Sequence, residues 1–313
     1  MALGPGTSAL TPTMIDPPRL PAQAETVRRQ FDARAARFAL HDALVREVGR
    51  RLAERLDIIR VAPARIVDVG CGSGHTRADL LRRYPKAEWI GLDASLAMLR
   101  AQPPAAWHRR LRSWVTGERA PRVCADALHL PLRDSVVDLV FSNLMLHWHP
   151  LPHTLFPEWL RVLKTEGLLL FSCFGPDTLM EMRAACLQAL PRARPMPFID
   201  MHDFGDMMVA AGFATPVMDA ERITLTYATA RELLREVRAL GGNPRDDRPQ
   251  GLPGTRAARR LVDALEAQRG PDGRIALTFE IAYGHAWKPV PKANAPTEFS
   301  LERLRASLPS RRA

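Results

Sequence analysis

An acidic residue precedes three closely spaced glycines in the run D-V-G-C-G-S-G at residues 68–74, directly after a β-branched stretch that begins at Arg65. Glycines let the backbone turn sharply and let a ligand lie against it. The spacing differs from the G-x-G-x-x-G turn that holds the pyrophosphate of a dinucleotide. A carboxylate at Asp68 would repel a pyrophosphate and instead suits a ligand that carries an ammonium group.

Three further polar residues follow successive predicted strands. Asp93 ends the second strand, Asp126 comes just after the third, and Asn143 comes just after the fourth. In an open α/β sheet the carboxyl ends of the strands form one edge, where ligands bind. Asp93 can there accept both hydroxyls of a ribose, and Asp126 can accept from an adenine amino group.

Strands and helices alternate from residue 65 to residue 174, which predicts a parallel, doubly wound α/β sheet. A helical pattern with apolar residues three, four and seven apart precedes it from Glu25. The expected organisation is a disordered leader over 1–20, a helical lid over 21–62, the main domain over 63–288 with a Pro-rich insertion at about 175–200 and a helical one at about 228–274, and a flexible basic tail over 289–313.

Cysteine spacing, apolar runs and net charge limit which class of protein the sequence can encode. The 313 residues include no Cys-x-x-Cys pair, no apolar run long enough to cross a membrane and no secretory signal, so we expect a cytoplasmic protein without a cysteine metal cluster. The formal net charge of +10 is consistent with an acidic macromolecular partner.

The four motifs together resemble the class I S-adenosylmethionine (SAM) methyltransferases: the glycine run, Leu92-Asp93, the stretch 124–132, and D-L-V-F-S-N at 138–143. The resemblance implies a Rossmann-like sheet and SAM as cofactor. It also implies a set of cofactor-binding residues: Asp68, Gly70, Cys71, Gly72, Gly74, Asp93, Ala94, Asp126, Ala127 and Asn143.

The flanking segments resemble a narrower family, the malonyl-[acyl-carrier protein] O-methyltransferases of biotin synthesis. The similar stretches are 27–38, 143–148, 174–183 and 238–243, so the resemblance spans about residues 25–288. It implies methylation of the free carboxylate of a malonyl thioester, carried by acyl carrier protein or by CoA. Phe38 stands where some relatives are expected to have tyrosine.

A malonyl carboxyl with a pKa of about 4 is ionised near neutrality, so no catalytic base is expected. An arginine should hold it through paired N–H donors. Arg183 is the first candidate, followed by Arg34 and Arg37 on the lid; Phe38, His147 and Trp148 are candidates for the pocket wall. The spacing of His147, His149 and His153 is not interpreted as a metal site. Candidate carrier-docking arginines are Arg231, Arg235, Arg238, Arg256, Arg259 and Arg260.

Two alternatives stay open. The stretch 174–183 is also similar to complex I assembly factors linked to arginine hydroxylation, which implies a SAM-binding hydroxylase or a non-catalytic factor. A methyltransferase for another small carboxylic acid is the second. Nucleic acid is not expected as acceptor, because Asn143 is followed by Leu-Met-Leu and not by Pro-Pro and an aromatic residue.

Overall fold

The computed structural model describes residues 22–101, 121–190, 192–245 and 254–291. The expected leader at 1–20 and nearly all of the expected tail lie outside these ranges. In the described ranges one mixed sheet contains seven strands: β1 (Arg65–Val69), β2 (Glu88–Asp93), β3 (Arg122–Cys124), β4 (Val137–Asn143), β5 (Leu163–Phe174), β6 (Ala214–Tyr227) and β7 (Ile275–Trp287).

The strand order is β3-β2-β1-β4-β5-β7-β6. The first five strands are parallel, as predicted. The inner strands of this set are buried because helices cover both faces, whereas the edge strand β3 is partly exposed. The prediction of parallel strands covers residues 65–174 only. Beyond them, β7 runs antiparallel to both β5 and β6. Alternation of apolar residues identifies a strand and carries no information about its direction.

Helices pack on both faces of the sheet, and two of them precede its first strand. Those in the described ranges are α1 (Ala22–Phe38), α2 (Ala43–Glu54), α3 (Arg77–Arg83), α4 (Leu96–Arg100), α5 (Leu155–Val162), α6 (Met180–Ala189), α7 (Met201–Ala210), α8 (Ala230–Leu240) and α9 (Thr255–Glu266). Helix α6 lies inside the segment expected only to be a Pro-rich insertion.

The core consists of two large apolar clusters, one on each face of the sheet. One packs α2, α8 and α9 against the sheet through residues such as Val48 and Leu233. The other packs α5 and α7 against the opposite face, through Trp159 and Phe204. This arrangement leaves the carboxyl ends of β1 to β4 facing α1 and the first turn of α2.

Candidate cofactor and acceptor site

One cavity lies at the carboxyl edge of the sheet. Its floor is formed by the ends of β1, β2 and β4 and the segment after β3, and α1 covers it. The residues that line it include Val69, Gly70, Gly72, Asp93, Ala94, Ser95, Ala125, Asp126, Ala127, Asn143 and, from α1, Ala24, Val27, Arg28, Phe31 and Phe38. The topology therefore brings together polar residues from four parts of the chain that the sequence places far apart.

The glycine turn approaches the cavity with its backbone. Gly70 has a φ of +74°, and its N–H donates to the carbonyl of Leu92 over 2.8 Å. A Cβ atom at Gly70 would lie 2.4 Å from Cγ of Met145, so no other residue fits without displacing the wall. Three of the predicted cofactor residues do not line the cavity: Asp68, Cys71 and Gly74. Cys71 is buried, and burial raises the pKa of its thiol.

Asp68 is buried directly behind this turn. Its Oδ2 accepts a hydrogen bond from Oγ1 of Thr76 over 2.5 Å, and its Oδ1 is buried with no partner among the described residues. Burial raises the pKa of Asp68 to about 7. An unpartnered carboxylate oxygen is costly in the interior. Two groups could supply the missing donor: the nearby indole N–H of Trp89, which lowers the pKa of Asp68 and also lacks a partner in the described ranges, and the ammonium group of a ligand.

Asp93 is held in place by two backbone donors. The N–H of Gly72 donates to Oδ2 and the N–H of Ser95 donates to Oδ1, each over 2.8 Å. Burial raises the pKa of Asp93 to about 6. The side chain lines the cavity, and its oxygens keep further lone pairs for ligand hydroxyls. Ser95 also donates through Oγ to Asp32 over 2.6 Å, which joins α1 to this end of the sheet.

Asp126 and its neighbours form the cavity wall after β3. Oδ1 of Asp126 accepts from the N–H of Leu128 over 3.1 Å, so part of its role is to stabilise this turn. Ala125 and Ala127 also line the cavity and leave room beside the carboxylate. The arrangement can accept a flat, apolar ring with an amino group at its edge.

Asn143 connects the sheet to α2 and to a histidine that the sequence analysis did not single out. Ser172 Oγ accepts from the N–H of Leu144 and donates to Oδ1 of Asn143 over 2.8 Å. This fixes the amide, whose Nδ2 donates to the carbonyl of Val45 and to Nε2 of His75 over 3.1 Å. Burial lowers the pKa of His75 to about 4, so the ring is neutral with its proton on Nδ1, which has no partner among the described residues.

His147 presents a second neutral imidazole. Its Nδ1 accepts from the N–H of Phe174 over 3.4 Å, which places the proton on Nε2. That atom is buried without a partner in the described ranges, and burial lowers the pKa of His147 to about 3. His75 and His147 both line the cavity. His75 could have been found from its position immediately after the glycine turn.

Aromatic rings form the wall beside His147. Its ring centroid lies 4.3 Å from that of Phe174 and 5.0 Å from that of Trp148. Phe31 of α1 meets Trp148 edge-on at 5.2 Å and lies 6.1 Å from Phe38. Such a wall excludes water when the cavity is closed by α1. Phe38, His147 and Trp148, three candidates for substrate binding, all line the cavity.

The three candidate arginines have different surroundings. Nη2 of Arg183 donates to the carbonyls of Pro176 and Thr178, and the residue does not line the cavity. The side chain of Arg183 therefore stabilises the turn before α6, which corrects its ranking as first candidate. Arg37 is exposed. Arg34 is half-buried on the α1 face that carries Phe31 and Phe38.

The guanidinium of Arg34 lies against the end of α8. A Cβ atom at Gly242 would be 2.8 Å from its Nη2, and its Nη1 is buried without a partner in the described part of the chain. Burial lowers the pKa of Arg34, and the group stays cationic at neutral pH. None of the three arginines lines the cavity, but Arg34 has a free donor and lies next to Gly242, the neighbour of the glycine that packs on Trp148 in the cavity wall.

The described ranges contain neither a metal-binding cluster nor a membrane-spanning helix. No group of three or more histidine, cysteine or acidic side chains there is arranged to hold a metal ion. His147 and His149 line the cavity, whereas His153 does not. None of the helices in the same ranges is long and apolar enough to span a bilayer.

Comparison with known proteins agrees with this geometry. Residues 67–171 match a family model described as a methyltransferase domain. Solved structures with the same fold include the YcgJ protein of Bacillus subtilis, with 17% identity over 76% of this chain and 98% of that chain and a TM-score of 0.51. Another is phosphoethanolamine N-methyltransferase 2 of Haemonchus contortus, with 14% identity over 84% and 60% and a TM-score of 0.52.

The strand order with its reversed seventh strand, the glycine turn and the acidic strand ends define a class I SAM-dependent methyltransferase. Curated relatives narrow the family further. The malonyl-[acyl-carrier protein] O-methyltransferase of Gallionella capsiferriformans is 44% identical over 86% of this chain and 92% of its own. That of Halorhodospira halophila is 46% identical over 83% and 86%. The chain belongs to the malonyl-[acyl-carrier protein] O-methyltransferase family.

Proposed function

We propose that this protein methylates the free carboxylate of a malonyl thioester with SAM as methyl donor, an early step of biotin synthesis. The observation that carries the proposal is the relationship to the curated family, which extends over more than four fifths of both chains. The cavity supports it, because it combines acidic groups for the cofactor with an aromatic wall, and the cationic Arg34 lies close to that wall with a free donor.

The residues present fit SAM. SAM supplies a methyl group on a positively charged sulfur. The unpartnered Oδ1 of Asp68 suits its ammonium group, and the close backbone approach at Gly70 leaves space that a side chain would fill. Asp93, fixed by two N–H donors, suits the ribose hydroxyls, and Asp126 suits the adenine amino group.

The acceptor carboxylate is assigned to the space between Asn143, His147 and α1. Arg34 would balance its charge through the free Nη1, and the protonated Nε2 of His147 would donate a directed hydrogen bond. A neutral imidazole orients a carboxylate oxygen through a hydrogen bond. Unlike a second cation, it does not fully neutralise the charge of that carboxylate. Phe31 and Trp148 would keep water from the reacting oxygen.

The reaction needs positioning more than proton transfer. The malonyl carboxyl, with an ordinary pKa of about 4, is already an anion at neutral pH. One oxygen forms the new O–CH3 bond while the bond between methyl and sulfur breaks and its electron pair stays on sulfur. Because no proton moves, no residue has to act as a base, and alignment of the two reactants supplies most of the acceleration.

Radiolabelled methyl transfer tests the proposal. Purified protein is incubated with methyl-labelled SAM and with malonyl-, acetyl- or succinyl-acyl carrier protein. Label on the malonyl form alone, released by mild alkaline ester hydrolysis, is expected. SAM binding without transfer to any of the three would contradict the proposal and favour the hydroxylase or assembly-factor alternative, and equal transfer to the succinyl form would favour a broader carboxyl methyltransferase.

A further inference from the structure

Helix α8 presents a row of arginines that have no acidic partner in the described part of the chain. Arg231, Arg235 and Arg238 are exposed and lie at i, i+4 and i+7, on one face of the helix. The opposite face holds the helix to the core through Leu233, which is fully buried, and Val237. The arginine face is therefore turned to solvent by the packing of the helix itself.

The acidic residues of the same helix are engaged elsewhere. Oε2 of Glu232 accepts from the N–H of Ala228, before the helix begins. Oε2 of Glu236 lies 2.9 Å from Nδ1 of His41, which lies in the turn between α1 and α2. The contrast with α2 is clear, since Arg50 and Arg51 there each pair with Glu47. The α8 row is a concentration of positive charge that the described fold does not neutralise.

The row leads to the mouth of the cavity. Leu240, the last residue of α8, lines the cavity. The next residue, Gly241, lies against Trp148, since a Cβ atom there would be 2.0 Å from the indole ring. With a helical rise of 1.5 Å per residue, the three arginines lie within about 14 Å of Leu240 along the helix axis.

We infer that this arginine face of α8 is the docking surface for an acidic carrier protein that delivers the thioester into the cavity past Leu240. The inference rests on the proposed function and adds to it the place where the carrier binds. Charge complementarity favours this occupant, because acyl carrier proteins are strongly acidic, and opposite charges across an interface steer encounter and fix orientation.

Two substrates that carry the same malonyl group distinguish carrier docking from methyl transfer. Malonyl-carrier protein requires the docking surface, whereas malonyl-pantetheine carries no protein and no charge besides the reacting carboxylate. The variants are Arg235→Glu and the triple change Arg231→Glu, Arg235→Glu and Arg238→Glu. The matched control is Arg133→Glu, an exposed arginine before β4 at the amino edge of the sheet, away from the cavity.

We expect each charge reversal from arginine to glutamate to raise KM for malonyl-carrier protein about threefold, and the triple change to raise it on the order of 30-fold. Both increases should be smaller at high salt. Values of kcat and KM for malonyl-pantetheine should stay within about twofold of wild type. Arg133→Glu should change neither substrate's kinetics. An unchanged KM for the carrier, or equal losses with both substrates, would overturn the inference.

Direct binding of malonyl-carrier protein, followed by fluorescence anisotropy of a labelled carrier, tests docking independently of turnover. Weaker binding by the triple variant, with SAM affinity unchanged, supports the surface even if methyl transfer is absent. Absence of transfer by the wild type to both substrates would instead refute the proposed function. Tight binding of a duplex oligonucleotide that the triple change abolishes, with carrier binding intact, would assign the face to nucleic acid and overturn the inference.

Discussion

Replacing Asp68 by asparagine should change the stability of the protein and its affinity for SAM in opposite directions. The carboxyl is buried, one oxygen has no partner in the described ranges, and burial raises its pKa to about 7. A carboxyl with a pKa of about 3.9 in the unfolded chain and a pKa near 7 in the folded one destabilises the fold as pH rises through that interval.

The size of the stability change follows from the shift in the pKa of Asp68. Three pKa units correspond to about 4 kcal/mol of lost stability above pH 7, taken as an upper bound. The asparagine side chain of the variant carries no charge, but its amide N–H has no acceptor, which costs roughly 1–3 kcal/mol. The ligand-free Asp68→Asn variant should therefore be more stable at pH 7.5 by about 1–3 kcal/mol, or roughly 2–6 °C in Tm.

SAM affinity should fall in the same variant. A hydrogen bond between charged groups contributes about 1.5–3 kcal/mol, so Kd should rise about 10- to 150-fold. In the wild type, Kd should also rise about fivefold between pH 7 and pH 6 as Asp68 takes up a proton. Protonation of Asp93, whose pKa is about 6, adds to the pH dependence of the SAM Kd mainly below pH 6.

Calorimetric titration with SAM and thermal unfolding without ligand, both at pH 6 and pH 7.5, measure these effects. The expected variant is stabilised, binds SAM weakly and shows little pH dependence of Kd between pH 6 and 7. Destabilisation of the ligand-free protein together with wild-type SAM affinity would refute the assignment of Asp68 to the ammonium group.

Other substitutions test the remaining parts of the site. Gly70→Ala should cost about 1–2 kcal/mol of stability at a φ of +74° and weaken SAM binding at least about tenfold by displacing Met145; unchanged binding in calorimetry would contradict close approach at this turn. His147→Leu should lower kcat/KM for the malonyl substrate about tenfold, whereas His147→Gln keeps a donor and most activity; equal losses would argue against a hydrogen-bonding role. Arg34→Met should raise KM for the malonyl substrate about 10- to 100-fold in steady-state assays with SAM Kd unchanged, and an unchanged KM would exclude it as the carboxylate ligand.

Much of the fold is encoded locally. The buried run at β1 and the glycines after it identify the first strand and its turn from a short stretch of sequence. Ser95, a residue type that favours helix N-termini, caps α4 by accepting from the N–H of Met98. Helix α6 escaped prediction because prolines at 176 and 191 flank it, although residues 180–189 contain none. The direction of β7 could not be predicted, since it depends on the long excursion through α8 and α9.

Some residues of the site could likewise be predicted from the sequence, and others could not. Asp93, Asp126 and Asn143 could be placed because parallel topology brings strand ends to one edge. Arg34 and His75 could not be ranked, because their surroundings depend on how α1 and α2 pack over that edge. The position of Arg183 after β5 suggested a ligand-binding role, but its Nη2 donates to the backbone carbonyls of the preceding turn and the residue does not line the cavity.

The central claim is that a malonyl carboxylate oxygen receives the methyl group of SAM. The most direct measurement uses SAM with a trideuterated methyl group and malonyl-carrier protein with heavy oxygen in the free carboxyl, followed by mass analysis of the product. We expect a malonyl methyl ester that carries the deuterated methyl and retains both heavy oxygens. Absence of the deuterated methyl from the malonyl group, or loss of one heavy oxygen on its transfer, would contradict it.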